Sequence, residues 1–509
     1  MALPLVVDQM SSYRNPTEDD IRLARHAIAQ DEEAIRALDA EIRMVMVQLE
    51  QLRLRKRQHL ENIHQSRSLI TLARRIPSEL LAAIVEISAA SGWTRAPLVA
   101  SQVCSAWRKA TEHPRVWSYL YVDCGVGDPL AKTRLWLSKV LHAPLHITLE
   151  VPTDAPTIDV VLSALLRYCT QWSSLAIRTQ DSVQLSSILS RMRRPLPHLT
   201  QLDYVAGWDT RAGDLIDFSA LHNATALCRL DIEQPNPPHW NVPFNVTTLH
   251  LKLTATRLNL SSVTASRWTG MLENLPRLRH LTLVGSMDYR YEADTARVVE
   301  LPRLESLIFT VSPDVLGVLD NMRVPALRKL RLRCNDAQHT STSVLPRLLE
   351  SASQLQLLEL YNVDIPREEL QRCFTLLPHL GDLRLHDSDI TDDELQLLHG
   401  SDGLCPSLTR LDVRWCVHLT GTALVNLVRS RVHMEKSMEE VTAINCLHVK
   451  EKDVLALAEL TTCRLMMRNM DDYCRDGGCC LNERYRQRMR LRHGIALGER
   501  NSPLSRIIL

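Results

Sequence analysis

Side chains able to make or break bonds are plentiful in this chain of 509 residues, but their spacing does not assemble a catalyst. The 19 histidines are scattered, and none stands at metal-ligand spacing to carboxylates or cysteines. No phosphate-cradling loop, H-E-x-x-H, G-x-S-x-G or paired C-x-x-C motif occurs. Gly125-Val126-Gly127 lacks the third glycine of a dinucleotide fingerprint and the strand–turn–helix frame around it. Cys474, Cys479 and Cys480 follow Cys463, yet C-x4-C-C is not a zinc spacing, which needs paired cysteines or histidine partners. The expectation is a chain with no catalytic residue, no metal and no cofactor. What remains is recognition chemistry. Single polar residues stand between apolar ones at Asp203, Asp231, His250, Lys252, Thr282, Arg331, Glu359, Arg384, His386, Asp412 and Arg414. Acids, bases and imidazoles mixed in this way suit a protein or peptide target. Asp231, Lys252, Arg331, Glu359, Arg384, His386, Asp412 and Arg414 are the target-binding candidates, against the plainer reading of a solvated sheet face.

The element that positions them is a recurring triplet: apolar, two variable residues, apolar, one variable residue, apolar. It occurs at Trp172-Leu175-Ile177, Leu199-Leu202-Tyr204, Leu227-Leu230-Ile232, Val246-Leu249-Leu251, Leu278-Leu281-Leu283, Leu304-Leu307-Phe309, Leu327-Leu330-Leu332, Leu355-Leu358-Leu360, Leu380-Leu383-Leu385 and Leu408-Leu411-Val413. Met438-Val441-Ala443 is a candidate eleventh. Successive triplets begin 19 to 32 residues apart, mostly within the roughly 20–29-residue period of leucine-rich repeats. Each triplet predicts one short strand with its leucines inward, and the remainder of the repeat returns along the outside. Thr391-Asp392-Asp393-Glu394-Leu395 reads as the start of a return helix, with a capping hydroxyl and acids in the first turn. Thr420-Gly421-Thr422-Ala423-Leu424 does the same. One repeat cannot bury its own apolar face, so neighbours stack into a curved solenoid with the strands on its concave side. This region, 151–470, resembles the leucine-rich-repeat domain of F-box proteins, most closely at Leu408-Thr409-Arg410-Leu411-Asp412-Val413-Arg414-Trp415-Cys416.

Residues 74–122 form a compact helical unit. Ile76-Pro77-Ser78-Glu79 opens a helix, since proline fits a first turn and an acid suits the positive helix N-terminus. Leu80, Leu81, Ile84 and Ile87 follow at helical spacing. A second helix is predicted over Pro97–Thr111, and His113-Pro114 ends it before Val116-Trp117. Trp107 and Trp117 are a large apolar load for about fifty residues, a size that barely folds alone. The stretch resembles the F-box of fungal F-box proteins. Ile76-Pro77 with Glu79-Leu80 and Ile84, then Val103-Cys104-x-x-Trp107-Arg108, then Pro114-x-x-Trp117 carry the likeness. It departs from that family in a longer segment around Trp93 between the first two helices. The resemblance implies docking on a Skp-type adaptor of a cullin–RING ubiquitin ligase, through Ile76, Pro77, Leu80, Leu81, Ile84, Leu98, Val103 and Trp107. The whole chain thus resembles a fungal-type F-box protein with a C-terminal leucine-rich-repeat domain.

Ahead of this unit, residues 17–72 read as one long helix with coiled-coil character, after a loose tail over 1–16. Thr17-Glu18-Asp19-Asp20 offers a cap. Ile21, Ile28, Ile35, Ile42, Leu49, Ile63 and Ile70 keep one heptad slot, with Lys56 its polar member. Ala24, Leu38, Val45 and Leu52 share the companion slot with Asp31, His59 and Ser66. Two arrangements fit: a parallel homodimer through residues 21–70, for which isoleucine at the first slot and leucine at the second favour two strands, or a helix laid on its own F-box-like unit or repeats. The run Arg53-Leu54-Arg55-Lys56-Arg57 reads as a solvated helix face rather than an import signal. Residues 123–150 read as a connecting helix and strand, Leu135-Trp136-Leu137 then Pro144 to Leu149. Residues 471–509 form a basic tail in which Arg484, Arg486, Arg488, Arg490 and Arg492 alternate.

The fold class is therefore α/β: a coiled-coil helix, a small all-α F-box, then an α/β solenoid. A net charge of +1 supplies no general attraction for nucleic acid or an anionic membrane. No apolar run nears the roughly 20 residues of a membrane span, and the N-terminus lacks a signal-peptide pattern. Thirteen cysteines in such a chain read as reduced thiols, in cytosol or nucleus. Two functions stand: substrate-recognition subunit of a ubiquitin ligase, or a non-catalytic repeat scaffold that dimerises through its coiled coil without ligase association.

Overall fold

The computed structural model describes residues 15, 17–70, 76–180, 182–206, 218–234, 238, 245–254, 262–285, 288–290, 297–334, 344–400, 403–432, 437–446, 448–466 and 507–508. The predicted long helix is α1, Glu18–Ile70. Its cap forms as the sequence suggests. The Thr17 Oγ1 hydroxyl donates to Asp20 Oδ2 at 2.6 Å, and Thr17 Oγ1 accepts from the Asp20 amide at 3.3 Å. Every described side chain from Thr17 to Arg67 is exposed, and the large apolar residues among them are 39–68% exposed. The alternative in which this helix lies on its own repeats is therefore not the one adopted.

The helical unit contains α2 (Ser78–Ala90), α3 (Ala96–Val103), α4 (Ser105–Ala110) and a 3-10 turn over Pro114–Trp117. The single helix expected over Pro97–Thr111 is broken: Cys104 is extended, with φ −162° and ψ 176°. The Arg108 side chain bridges that break by donating to the Ser101 carbonyl at 3.0 Å. The segment around Trp93 is a tight turn of residues 91–95, closed by the Trp93 amide on the Ser88 carbonyl and made possible by Gly92 at φ +107°. Trp117 fastens the unit to the sheet domain. Its indole N–H donates to the Thr111 carbonyl at 2.7 Å, and its ring meets that of Trp136 edge-on at 5.1 Å.

C-terminal to this unit, the described residues include one parallel sheet of fifteen strands, beside two short parallel pairs, Ser262–Thr264 with Asp288–Arg290 and Val299–Glu300 with Met322–Arg323. The strands are β1 (Tyr119–Asp123), β2 (Leu145–Val151), β3 (Trp172–Thr179), β4 (Gln201–Ala206), β5 (Arg229–Gln234), β6 (Thr248–Leu253), β7 (His280–Gly285), β8 (Ser306–Val311), β9 (Lys329–Cys334), β10 (Leu357–Tyr361), β11 (Asp382–His386), β12 (Arg410–Arg414), β13 (Glu440–Ile444), β14 (Thr462–Met466) and β15 (Ile507–Ile508). Each pairs with the next in chain order. This is an α/β molecule with a long N-terminal helix and a parallel sheet consistent with a leucine-rich-repeat fold. The sheet begins at Tyr119, inside the segment assigned to the helical unit. The stretch read as a connection, 123–150, supplies α5 (Pro129–Val140) and β2. Alternating burial identifies β1 and β2 as sheet strands; β1 carries a triplet not singled out in the sequence, Trp117-Leu120-Val122, all buried, whereas β2 lacks the first apolar member.

The core lies along one face of this sheet. All members of the ten triplets, and of Met438-Val441-Ala443, are at most 4% exposed. Parallel register sets equivalent residues side by side, as in Leu330 beside Leu358 and Leu358 beside Leu383. The two return helices read from their caps are α11 (Asp392–Gln396) and α12 (Gly421–Ser430), where elements between α5 and α11 are α6 (Ile158–Leu165), α7 (Ser182–Ser190), α8 (Ala265–Glu273), α9 (Val344–Glu350) and α10 (Arg367–Thr375). Thr391 and Glu394 complete a capping box on α11, and Thr420 accepts from the Ala423 amide on α12. One buried cation has no counterpart in the pattern. Arg431 is fully buried and donates to the carbonyls of Leu398, Leu404, Cys405 and Leu408 at 2.7–3.2 Å. It satisfies the carbonyls of a loop that no strand or helix completes. The described cysteines are free thiols. Cys474, Cys479, Cys480 and the arginines of the tail lie outside the described residues.

Candidate functional site

The polar candidates fall into register. A strand alternates its side chains between faces, so residues between inward leucines share the opposite face. Asp203, Asp231, His250 and Thr282 are adjacent partners across β4–β7. Arg331, Glu359, Arg384 and Asp412 are adjacent partners across β9–β12. Ile308 on β8 separates the two groups. Lys252, His386 and Arg414 stand two residues further along their strands, in a second row. The structure thus brings six of the eight target candidates together on β9–β12 and leaves Asp231 and Lys252 as a separate pair on β5–β6.

These charges are paired with one another. Arg331 and Arg384 approach Glu359 at 3.3 and 3.5 Å. Arg384 forks onto Asp382 at 3.1 and 2.8 Å, and Arg414 forks onto Asp412 at 2.7 and 2.6 Å. His386 reaches Asp412 at 3.4 Å. His386 and Arg414 are buried, each 5% exposed, so they are set into the sheet rather than standing free. Burial alone would raise the Asp412 carboxyl, but His386 close beside it and the hydrogen-bonded Arg414 outweigh burial and hold its pKa well below the carboxylate range. Asp382 and Glu359 raise the pKa of Arg384 in the same way, against burial. On the other group, Arg229 pairs with Asp231 at 2.7 Å and Lys252 with Glu233 at 2.9 Å. Burial and then Asp231 push the neighbouring Asp203 carboxyl upward.

Three residues of the larger group escape the triplet pattern. Arg333 lies over the Tyr361 ring at 4.2 Å, and Tyr361 meets His386 and Trp415 edge-on at 6.3 and 6.4 Å. Arginine beside aromatic rings is the composition of interaction hot spots. Arg333 and Tyr361 occupy the position immediately after the last leucine of their triplets, the one that gave Lys252, His386 and Arg414. Scanning that position in every repeat finds them. Trp415 had no such signal. It sits at φ +55°, in line with Asn362, Asp387 and Asn445 at +53°, +52° and +56° at the same point of the neighbouring repeats. Asparagine and aspartate tolerate this left-handed turn; tryptophan is strained there.

The eight adaptor candidates separate by burial. Leu81 is 1% exposed and belongs to the core. Its place in a docking face is corrected on that ground: one residue on from Leu80 it is turned about 100° around α2, onto the side that meets the core. Ile76, Leu98 and Trp107 are partly buried and packed on the same core. Pro77 is exposed, and Leu80, Ile84 and Val103 are 57%, 43% and 58% exposed. Ile87, Trp93 and Val99, which are not among the eight, are exposed as well. Leu80, Ile84 and Ile87 are spaced to share one face of α2, away from Leu81 and Val85. A helix apolar on two faces is normally covered on both. Spacing alone could not tell these faces apart, because both carry the helical period.

No family model matches the chain, and no curated protein matches it. Among solved structures, a Bacteroides fragilis protein is 12% identical, with 62% of this chain and 71% of that chain covered at a TM-score of 0.31. The TLR13 chain of a TLR13–ssRNA13 complex is 14% identical, with 70% of this chain covered at a TM-score of 0.33. This chain spans 56% of the TLR13 chain. Likenesses this slight carry no argument about what the present chain does.

Proposed function

We propose that this chain is a non-catalytic protein-binding scaffold and, more specifically, the substrate-recognition subunit of a cullin–RING ubiquitin ligase. In this reading residues 76–117 are an F-box that docks on a Skp-type adaptor, and the solenoid holds a target protein. The observation that carries it is the exposure of Leu80 and Ile84 on one face of α2, with Pro77 and, on α3, Val103 exposed too, on a unit whose other apolar residues pack into the sheet core. Such a unit is anchored on one side and open on the other. Work is done by position: two sites at fixed separation raise the concentration of target lysines near the ubiquitin-loaded enzyme. The target surface is the β9–β12 group with Arg333, Tyr361 and Trp415. Its charges are already satisfied internally, so a target displaces no bare ions and gains chiefly from the aromatic and guanidinium planes. The test is co-purification with the adaptor of full-length chain and of a Leu80→Ala, Val103→Ala variant. Equal recovery from both, or none from either, removes the ligase reading.

The exposure of α1 supports a second reading, a repeat scaffold that self-associates through residues 21–70 and never meets the adaptor. It predicts dimers with no adaptor recovered.

A further inference from the structure

We infer that α1 pairs with a second copy of itself in antiparallel, two-stranded fashion, in a register that sets Lys56 of one copy against Asp31 of the other. The inference rests on the self-association named above and is independent of the adaptor. Its first support is exposure: a 53-residue helix keeps Ile35, Ile42 and Leu49 45–57% exposed, and isolated helices gain most of their stability from packing an apolar stripe.

The second support is charge. Residues 18–41 hold eight carboxylates and three arginines, whereas residues 42–67 hold six basic residues and two carboxylates. The helix dipole accounts for charges in the first and last turns only. It does not account for Asp31-Glu32-Glu33 or for Arg53, Arg55, Lys56 and Arg57. A parallel in-register pair lays acidic half on acidic half and basic half on basic half. In its core Asp31 faces Asp31 and Lys56 faces Lys56. Reversing one helix lays each acidic half on a basic one.

Reversal also selects a register. When facing residue numbers add to 87, the first slot of each heptad opposes the second slot of the other copy. Ile35 then meets Leu52, Ile42 meets Val45, and Leu49 meets Leu38. In the same register Lys56 meets Asp31, twice, by symmetry. A slip of one heptad sets Lys56 against Leu38 and Asp31 against Ile63. The two charged residues that spoil a parallel core therefore specify the antiparallel one.

The experiment uses the full chain in sedimentation equilibrium. Lys56→Asp and Asp31→Lys should each raise the dimer Kd about 100-fold, because each replaces two facing opposite charges by like ones. The double variant should restore it. In a parallel pair each single variant keeps like facing like, so neither weakens association and nothing is rescued; that result overturns the orientation. A wild-type chain that is monomeric, or that forms more than two strands, overturns the pairing itself. Because the described part of α1 is exposed throughout, the repeats should melt unchanged in all variants, so lost association cannot be mistaken for unfolding. A label placed at Ala29 by an unnatural amino acid gives a second readout. Ala29 of the two copies should stand about 45 Å apart in the antiparallel register, at 1.5 Å per residue, and roughly 15 Å apart if parallel.

Discussion

Leu80 and Leu81 are adjacent leucines on one helix, and the structure leaves the first exposed and buries the second. Leu81 is 1% exposed, so Leu81→Ala deletes buried methyl groups and leaves a cavity, costing about 2–5 kcal/mol. Leu80 is 57% exposed, and Leu80→Ala should change stability by no more than about 0.5 kcal/mol. In the proposed docking on an adaptor the order should reverse. Full burial of a branched aliphatic side chain is worth about 1.5–3 kcal/mol. Leu80, Ile84 and Val103 still have 43–58% of their surface to bury. Covering all three is worth about 3 kcal/mol, or about a hundredfold in Kd. The assay pairs calorimetric titration of a Skp-type adaptor with thermal unfolding of the same samples. The triple alanine variant should lose about two orders of magnitude in affinity with its melting unchanged, and Leu81→Ala should melt earlier. If the triple variant binds as wild type does, or if Leu80→Ala unfolds as readily as Leu81→Ala, the division of α2 into an inner and an outer face is wrong.

Arg431→Met removes donors from four buried carbonyls and should cost about 3–5 kcal/mol; hydrogen exchange over residues 398–408 should rise first, and unchanged protection there would refute the role given to Arg431. Asp412 has a folded-state pKa below its unfolded one, so its contribution is complete above the unfolded carboxylate range and is lost as pH falls from about 5 toward the folded pKa. Asp412→Asn should therefore be less stable at neutral pH and show a shallower acid dependence than wild type in unfolding scans; parallel curves would count against the pairing with His386 and Arg414. A Cβ at Gly285 would lie 2.3 Å from the Leu253 carbonyl oxygen of the neighbouring strand, so Gly285→Ala should force β6 and β7 apart and lower the melting temperature. Gly381→Ala, whose nearest atom is 3.8 Å away, is the matched control and should melt much closer to wild type.

The amino-acid sequence by itself determined the repeat. Each triplet fixes which side chains of a strand turn inward, because side chains alternate at a period of two and leucines must leave water. Hence Leu330, Leu358 and Leu383 are legible as core from the sequence, and the caps at Thr17, Thr391 and Thr420 follow from local chemistry. The heptad of α1 is equally legible. The tertiary structure alone decided what depends on long-range contact. It separated Leu80 from Leu81, since a helix apolar on two faces does not say which is covered. It broke the second helix at Cys104 and started the sheet at Tyr119, where the triplet Trp117-Leu120-Val122 directly follows a helical unit and its pairing with β2 shows it to be a strand. It gathered Arg333, Tyr361, His386, Arg414 and Trp415, which lie on four repeats and become neighbours through parallel register alone. Arg431 was hidden for the same reason: nothing in the helix that precedes it predicts four carbonyls 23 to 33 residues earlier in the chain. Local pattern is written in side-chain period and propensity, whereas a site assembled across strands exists only once the chain has closed on itself.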